Sequence, residues 1–471
     1  MTETIEHDNK AIKPKGPIMD TPNETGSASA PSKSRREFLR TSGAASAAVA
    51  STLVVRAAYA GENNTIKVAL VGCGGRGTGA ASQALSTSGP TKLWAMADVF
   101  PQRLKGSLNT LSRKHAKQID APTERQFIGL DAYKQAIDSL GPGDVVLLTT
   151  PPAFRPIHLE YAVGRGVNVF MEKSFAVDAP GVRRVMKAVE AAKQKNLKVA
   201  GGLMWRHDSA RQAVIDRIHD GAIGDIHTMR TYRMHGPVGL APKMPGMSEL
   251  AHQIRNYSCF TWVNASFFVD WLIHNIDVCC WAKNAWPVAA QGSGGRQARK
   301  KVDQMWDHYD VEYIFADGAR LFAKGRHMAK CWSTFGDYAH GSKGSALIME
   351  SLGKPNPRLY KNQNQTKENE TWRYEGPQPN PYQVEHNRLF DAIRRDATYN
   401  EGDRCAKAVM TAIMGRMAAH SGQLVTFDQA LNSKLQLAPE LEKLVWDGPA
   451  PIMPNERGQY PVAVPGVSKV L

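Results

Sequence analysis

Three polar side chains in an apolar segment have the spacing of a proton-transfer site. Asp270, His274 and Asp277 are spaced i, i+4 and i+7, which places them on one face of a helix. A carboxylate beside an imidazole fixes its tautomer and raises its basicity, as removal of a hydroxyl proton requires. The alternative is a satisfied surface pair. Asp277 is predicted to be structural, binding backbone or an arginine, and no metal site is expected.

A glycine-rich turn near residue 72 has the pattern of a nucleotide phosphate site. It follows the apolar run 65–71 and matches G-x-G-x-x-G. The first glycine allows a tight turn, the second lets backbone approach a pyrophosphate, and the third lets helix and strand pack closely. The helix N-terminus would bind the anion. The loop residues expected to bind the cofactor are Gly72, Cys73, Gly74, Gly75, Arg76 and Gly77.

A carboxylate ends the second predicted strand. Asp98 lies 21 residues after Gly77, where it would accept hydrogen bonds from the adenosine ribose hydroxyls. Its charge would repel the extra phosphate of NADP, although Arg76 and Arg103 could offset that repulsion. The sequence therefore favours NAD, with NADP the alternative cofactor. Asp98 could otherwise be a plain strand-end or cap residue.

The elements that must position these groups alternate along the first half of the chain. Apolar runs and predicted helices follow each other at 92–97, 144–150, 156–165, 167–171, 180–195 and 198–203. This alternation predicts an α/β domain with a doubly wound parallel sheet of the Rossmann type. Ligands of such sheets lie beyond the carboxyl ends of the strands, and Thr150, Lys173 and Arg206 all follow such ends.

Taken together, three motifs resemble the Gfo/Idh/MocA family, which includes glucose–fructose oxidoreductase and inositol dehydrogenase. They are the glycine loop with Asp98, the strand end Thr149-Thr150-Pro151-Pro152, and Glu172-Lys173. The family usually has proline after Glu-Lys, where this chain has Ser174. The resemblance spans about 65–425. It implies a second, α+β domain with an open, mainly antiparallel sheet, and a homo-oligomer (dimer or tetramer) built through that sheet.

Strand-like and helix-like runs agree with this second domain, at 226–234, 288–291, 309–315, 319–324, 385–395 and 404–420. We predict four regions: a disordered leader with a signal peptide (1–60), an NAD-binding Rossmann domain (61–205), a substrate and oligomerisation domain (206–425) and a C-terminal tail (426–471).

The resemblance also implies roles for individual side chains. His274 would take the hydroxyl proton, Lys173 would stabilise the developing alkoxide or share the proton, and Asp270 would orient His274. Thr150, Glu172 and Lys173 are expected beside the cofactor. The residues expected to contact the substrate are Arg206, Tyr257, Trp262, Asn275 and His386.

Composition excludes several other classes of protein. The net charge is +15, but the basic residues are scattered and form no nucleic-acid motif, so no nucleic-acid partner is expected. Six cysteines in 471 residues exclude a disulfide scaffold, and none forms a C-x-x-C pair.

The N-terminal segment resembles a twin-arginine signal peptide. Arg35-Arg36 precede an uncharged stretch, 41–55, and Ala58-Tyr59-Ala60 has the form of a cleavage site. The stretch is shorter than the roughly 20 residues of a membrane helix. We expect a periplasmic protein with no membrane span after cleavage, or a membrane-anchored one if the signal is retained.

The sequence thus predicts an NAD-dependent oxidoreductase that acts on a sugar or polyol with a tightly bound cofactor. One alternative is a glycoside hydrolase, lyase or epimerase that uses NAD transiently. A second is a non-catalytic binding protein on the same scaffold. Because the twin-arginine route exports folded proteins, we expect NAD to be loaded before export, retained, and reset within a redox-neutral cycle.

Overall fold

The first half of the chain folds around a parallel sheet in the computed structural model, which describes residues 64–350 and 356–471. The predicted signal peptide lies outside the described residues. Six strands form this sheet: β1 (Ile66–Val71), β2 (Thr91–Asp98), β3 (Gln126–Ile128), β4 (Val145–Leu148), β5 (Asn168–Met171) and β6 (Val199–Gly201). Their spatial order, β3-β2-β1-β4-β5-β6, is that of doubly wound dinucleotide-binding sheets. The predicted Rossmann sheet is confirmed.

Helices cover this sheet and explain its apolar strands, since a parallel sheet is buried on both faces. They are α1 (Gly75–Leu85), α2 (Pro101–His115), α3 (Ala132–Asp138), α4 (Arg155–Gly164) and α5 (Ala179–Gln194). The start of α5 is fixed locally, because the Asp178 carboxylate accepts a hydrogen bond from Gly181 N–H at 2.8 Å.

The second half is built on a mixed, mainly antiparallel sheet, which confirms the predicted α+β architecture. Its strands are β7 (Ile226–His235), β8 (Ala289–Gly295), β9 (His308–Ile314), β10 (Arg320–His327), β11 (Thr334–Gly341), β12 (Ser345–Glu350), β13 (Arg358–Tyr360), β14 (Glu370–Arg373) and β15 (Val425–Thr426). Their order is β14-β13-β12-β11-β7-β10-β9-β8-β15. The β7–β10 pair is parallel and the other pairs are antiparallel.

Seven helices accompany this sheet: α6 (Ser209–His219), α7 (Glu249–Arg255), α8 (Thr261–Asn264), α9 (Phe267–Lys283), α10 (Pro381–Arg394), α11 (Gly402–Ser421) and α12 (Phe427–Asn432). Helix α9 carries the predicted catalytic pair. It is apolar on every face and packs between the sheet and α11, so its few polar side chains are enclosed. The Ser266 hydroxyl caps its N-terminus by accepting from Val269 N–H at 3.2 Å.

The chain after α12 runs as an extended tail over both halves. Leu437 N–H donates to Asp178 Oδ2 at 2.8 Å, and Arg184 pairs with Glu442 at 2.8 Å. Further along, the Trp446 ring packs edge-on against Phe100, with centroids 5.4 Å apart. Within the described ranges, no helix has both the length and the apolar character needed to cross a bilayer.

Candidate functional site

The turn after β1 forms an open backbone cradle. Gly72 has φ +99°, and a Cβ there would lie 2.7 Å from Thr150 N. A Cβ on Gly77 would lie 1.9 Å from the Gly72 carbonyl oxygen, so a side chain there would block the close start of α1. Gly74 and Gly75 instead face open space, and no side chain caps α1. The free N–H groups of this helix end can therefore bind an anion.

Asp98 borders the cradle at the end of β2. Its Oδ2 accepts a hydrogen bond from Cys73 N–H at 2.6 Å, and its Oδ1 accepts from Phe100 N–H at 2.8 Å. Burial raises the pKa of Asp98, against the lowering effect of these N–H groups and Arg103. Each oxygen keeps a lone pair for a ribose hydroxyl. Cys73 contributes its backbone, while its buried thiol donates to the Ala97 carbonyl.

A cleft of about 460 Å³ opens between the ends of β1 and β4, where the strand order reverses. Among the predicted residues, its walls include Gly72, Gly74, Gly75, Arg76, Gly77, Asp98, Thr150, Glu172, Lys173, Tyr257 and Asp270. The structure thus brings most of the predicted cofactor residues to one cavity. In the part of the chain that the structure describes, no cluster of three or more His, Cys, Asp or Glu side chains is placed to hold a metal ion.

Arg155, which the sequence does not predict as a site residue, also lines this cleft. Arg155, at the start of α4, is buried and donates to the carbonyl oxygens of Thr150 and Ser174, at the ends of β4 and β5. Burial lowers its pKa to about 10. No spacing rule marks Arg155, because its role depends on two strand ends that meet only in the folded sheet.

Glu172 forms an ion pair with Arg76, whose Nε lies 3.0 Å from Oε1. The Arg76 guanidinium also lies 4.5 Å from the centre of the Tyr382 ring. This arrangement holds the arginine of the glycine loop against the second half of the molecule, beside the cleft.

Lys173 and Asp270 meet across the cleft. The lysine Nζ donates to Oδ1 and to the backbone carbonyl of Asp270, both at 2.6 Å. Asn264 Nδ2 lies 3.3 Å from the other carboxylate oxygen. An ammonium has three donors, so one remains for a substrate oxygen. Ser174, where the family usually has proline, donates from its hydroxyl to the Val269 carbonyl at 3.1 Å and adds a second link to α9.

The predicted hydrogen bond between Asp270 and His274 is not formed, and this corrects the role assigned to Asp270. Both oxygens of the Asp270 carboxylate have other partners. The Lys173 ammonium donates to Oδ1, and the Asn264 amide donates to Oδ2. His274 instead packs against Trp205, with ring centroids 4.9 Å apart, and its Nδ1 is buried without a hydrogen-bond partner.

The surroundings of His274 keep its ring neutral. Burial lowers its pKa well below the usual value, and the charges of Lys173, Arg233 and Arg211 lower it further. A neutral imidazole has a free lone pair for a proton, but the lowered pKa makes His274 a weaker base than an exposed histidine, contrary to the raised basicity that the sequence predicts. Tyr257 has the opposite shift, because the Asp270 charge and burial raise its pKa to about 12. It therefore lines the cleft as a hydroxyl donor.

Arg206 and Asp277 pair with each other away from the cleft wall. Arg206 Nε and Nη2 each lie 2.8 Å from a carboxylate oxygen of Asp277, a two-point ion pair. Asp277 thus binds an arginine, as the sequence predicts. Arg206, predicted as a substrate contact, uses Nε and Nη2 in this pair and is not among the residues that line the cleft.

Three more predicted substrate contacts lie in the core and not at the wall of the cleft. Trp262 is fully enclosed and donates from Nε1 to Gln253 at 2.5 Å. Asn275 is also fully buried and donates to Asp337 Oδ1 at 2.8 Å. His386 is buried, with its Nδ1 2.8 Å from the Tyr382 carbonyl, and burial lowers its pKa to about 3.

The chain is similar in sequence to known dehydrogenases. No family model matches the chain. Inositol 2-dehydrogenase of Ralstonia nicotianae is 26% identical over 263 residues, 55% of this chain and 66% of that protein. The Rhizobium meliloti protein of the same name is 24% identical over 283 residues, 60% of this chain and 74% of its own length. The aligned region thus spans about two thirds of the relatives.

Solved structures share the fold at lower identity. Aldose–aldose oxidoreductase from Caulobacter crescentus, complexed with glycerol, has a TM-score of 0.61 at 18% identity and covers 77% of this chain and 99% of its own. Scyllo-inositol dehydrogenase from Lactobacillus casei, solved with NAD(H) and scyllo-inositol, has a TM-score of 0.57 at 20% identity, with the same coverages. These likenesses show the two-domain fold.

Proposed function

Since this chain belongs to the Gfo/Idh/MocA family of oxidoreductases, we propose that it transfers a hydride between a carbohydrate hydroxyl group and tightly bound NAD. The observation that carries the proposal is the Lys173–Asp270 pair at the wall of the glycine-loop cleft. It puts a cation with one free donor beside the place where a nicotinamide would bind. The names of the relatives support a sugar or polyol as the substrate class.

The residues of the cleft fit a dinucleotide. Gly74 and Gly75 leave room for a pyrophosphate against the uncapped end of α1, and Asp98 offers lone pairs to a ribose. Arg103 lies close enough to lower the Asp98 pKa, but that carboxylate still favours NAD over NADP. Bound NAD would supply the hydride acceptor, a chemistry that amino-acid side chains lack.

The side chains of this chain would handle the proton and the charge. Lys173, held by Asp270, would donate its free N–H to the reacting oxygen and stabilise negative charge that develops there. His274 is neutral and would accept the hydroxyl proton. Asp270 therefore positions Lys173 in this scheme, in place of the histidine-orienting role that the sequence analysis gave it.

Export would impose a further condition on the cofactor. We propose a periplasmic protein, on the basis of the signal-like residues 34–60, and a homo-oligomer, on the basis of the family resemblance. If free NAD is scarce in that compartment, the bound cofactor must be reset in place. The reaction would then be redox-neutral, with one substrate oxidised and another reduced, or with a single substrate oxidised and re-reduced.

Incubation of the purified protein with free polyols and with glycosides tests the reaction class. A change in nicotinamide absorbance with polyols supports the dehydrogenase. Release of the aglycone from glycosides without added cofactor would instead favour the transient-oxidation hydrolase. If neither occurs, and if Lys173→Ala and His274→Ala bind sugars as the wild type does, the chain is a binding protein.

A further inference from the structure

Arg233 is a partly buried cation that has no ion-pair partner among the residues that the structure describes. It lies near the end of β7, on the sheet face that α9 covers, and its Nε is buried without a hydrogen-bond partner. One long hydrogen bond, 3.4 Å from Nη1 to the Trp271 carbonyl, is its only one to the described residues. It forms no ion pair there, whereas the partly buried Arg206 and Arg404 each pair with a carboxylate.

The nearest carboxylates are occupied by other groups. Asp270 is taken by Lys173 at 2.6 Å, and Asp337 accepts from Thr231 at 2.6 Å and from Asn275 at 2.8 Å. A guanidinium taken from water without a partner is unfavourable, so this position calls for an anion from outside the chain.

Arg233 lies beside the proposed reaction centre. The backbone carbonyl that its guanidinium contacts belongs to Trp271, which directly follows Asp270 in α9. Its guanidinium is 4.8 Å from the Phe335 ring, which packs on Trp205, which in turn packs on His274. The charge of Arg233 acts on His274, and that of Asp270 acts on Arg233, so Arg233 is close to both residues.

Other polar atoms on the same sheet face lack a hydrogen-bond partner among the described residues. His235 lies two residues after Arg233, and its Nε2 is buried without a partner, as is Nε2 of His327 on the neighbouring strand. The two rings are stacked 5.8 Å apart. Trp271 and Phe335 provide apolar walls next to these groups. Such a mixture of ring surfaces and polar atoms suits a hydroxylated ring with an anionic substituent.

We propose that Arg233 binds a carboxylate of the substrate, so that the preferred substrates are acidic sugars rather than neutral polyols. This inference rests on the proposed function and specifies its substrate class. A guanidinium matches a carboxylate with two parallel hydrogen bonds. A single unpaired cation next to Asp270 balances one negative charge, which favours a carboxylate over a doubly charged phosphate.

Binding measurements on the full-length, NAD-loaded protein test this inference without requiring turnover. Isothermal titration would compare D-glucuronate with D-glucose, D-galacturonate with D-galactose, and glucose 6-phosphate as the phosphate probe. We expect at least one acid to bind tenfold or more tightly than its neutral partner. Arg233→Gln should abolish that preference and leave neutral-sugar binding within about threefold, and Arg233→Lys should retain part of it.

Arg230→Gln is the matched control, because Arg230 is on the same strand but contacts Tyr338 and His340 instead of α9. It should leave the preference unchanged. The inference is overturned if no acid binds more tightly than its neutral partner, if the preference survives in Arg233→Gln, or if the phosphate binds best. Acid binding that depends on Arg233 without any change in nicotinamide absorbance would reject hydride transfer and retain this assignment.

Discussion

The Lys173 ammonium lies 2.6 Å from both the carbonyl oxygen and Oδ1 of Asp270. The lysine follows a strand of the Rossmann sheet, and the aspartate lies in the first turn of α9, so the pair joins the two halves at the cleft. Two of the three ammonium donors are used, and the direction of the third is thereby fixed. The pair thus turns a flexible side chain into a positioned donor.

Replacement of Lys173 should therefore affect the chemical step more than binding. We expect Lys173→Met to reduce hydride transfer about 10²- to 10³-fold, as loss of one preorganised donor does in other enzymes. Asp270→Asn should have a smaller effect in the same direction, since the backbone carbonyl still holds the lysine. Single-turnover reduction of bound nicotinamide measures both. Lys195→Met, a surface lysine that donates to the Val163 carbonyl, is the control. Unchanged rates in Lys173→Met would refute the assignment.

Asp98 should determine cofactor choice. We expect Asp98→Ser to weaken NAD binding about tenfold, through loss of charge-assisted hydrogen bonds, and to shift the NADP-to-NAD affinity ratio toward NADP by tenfold or more. Titration of cofactor-stripped protein with each dinucleotide measures this ratio.

Asp144→Ser is the matched control for that experiment. Asp144 also accepts from two backbone N–H groups, those of Lys67 at 2.9 Å and Gly141 at 2.8 Å, but it does not line the cleft. It should lower stability without altering cofactor choice. An equal shift in both variants would mean that Asp98 acts only on the fold.

Asp337 should make stability depend on pH. Its pKa is raised to about 6 by burial, whereas an unfolded aspartate titrates near 3.9. Between these values the folded state binds more protons than the unfolded state, so the free energy of unfolding falls as pH rises, by about 3 kcal/mol in total. Asp337→Asn lacks this contribution. Urea unfolding from pH 4 to 7 measures the free energy of unfolding of the wild type and of Asp337→Asn. The wild-type value minus the variant value should fall as the pH rises, and a constant difference would contradict the assignment.

The C-terminal tail should slow release of the cofactor. Trp446 packs on Phe100, two residues after Asp98, and its carbonyl accepts from the Ser248 hydroxyl at 2.9 Å in the second half. We expect Trp446→Ala to speed NAD release up to about tenfold, the size of an aromatic contact. Trp372→Ala, which removes a tryptophan on strand β14, should not. Dialysis followed by assay of retained nicotinamide compares them, and equal retention would rule out a clamping role.

Short sequence motifs predict those parts of the fold whose geometry depends only on residues that are close together in the chain. The glycine loop, Asp98 and the buried strands on either side all follow from short motifs whose geometry is set by the chain itself. Helix α2, strand β3 and strands β11–β14 are not predicted. Strands β3, β13 and β14 have only three or four residues, too few to show a clear alternation.

The residues of the candidate site also divide into those that local spacing predicts and those that depend on contacts between distant parts of the chain. Helical spacing predicts that Asp270 and His274 share a face of α9, but it does not reveal that Lys173, from a distant strand, is the stronger partner for the carboxylate. Trp262 and Asn275 are near the predicted catalytic residues in sequence, yet they pack into the core. Arg233 has no motif, since its lack of a partner is visible only when β7, α9 and β11 are assembled.

We propose an oxidoreductase that retains its nicotinamide, and the stoichiometry of bound cofactor tests this proposal. The full-length protein is desalted, its nicotinamide content is measured, and a single oxidisable sugar is added while nicotinamide absorbance is followed. We expect roughly one NAD per chain and reduction that stops after one equivalent until a second, reducible sugar is supplied. Rapid loss of NAD on desalting, with activity that depends on added NAD, would contradict it.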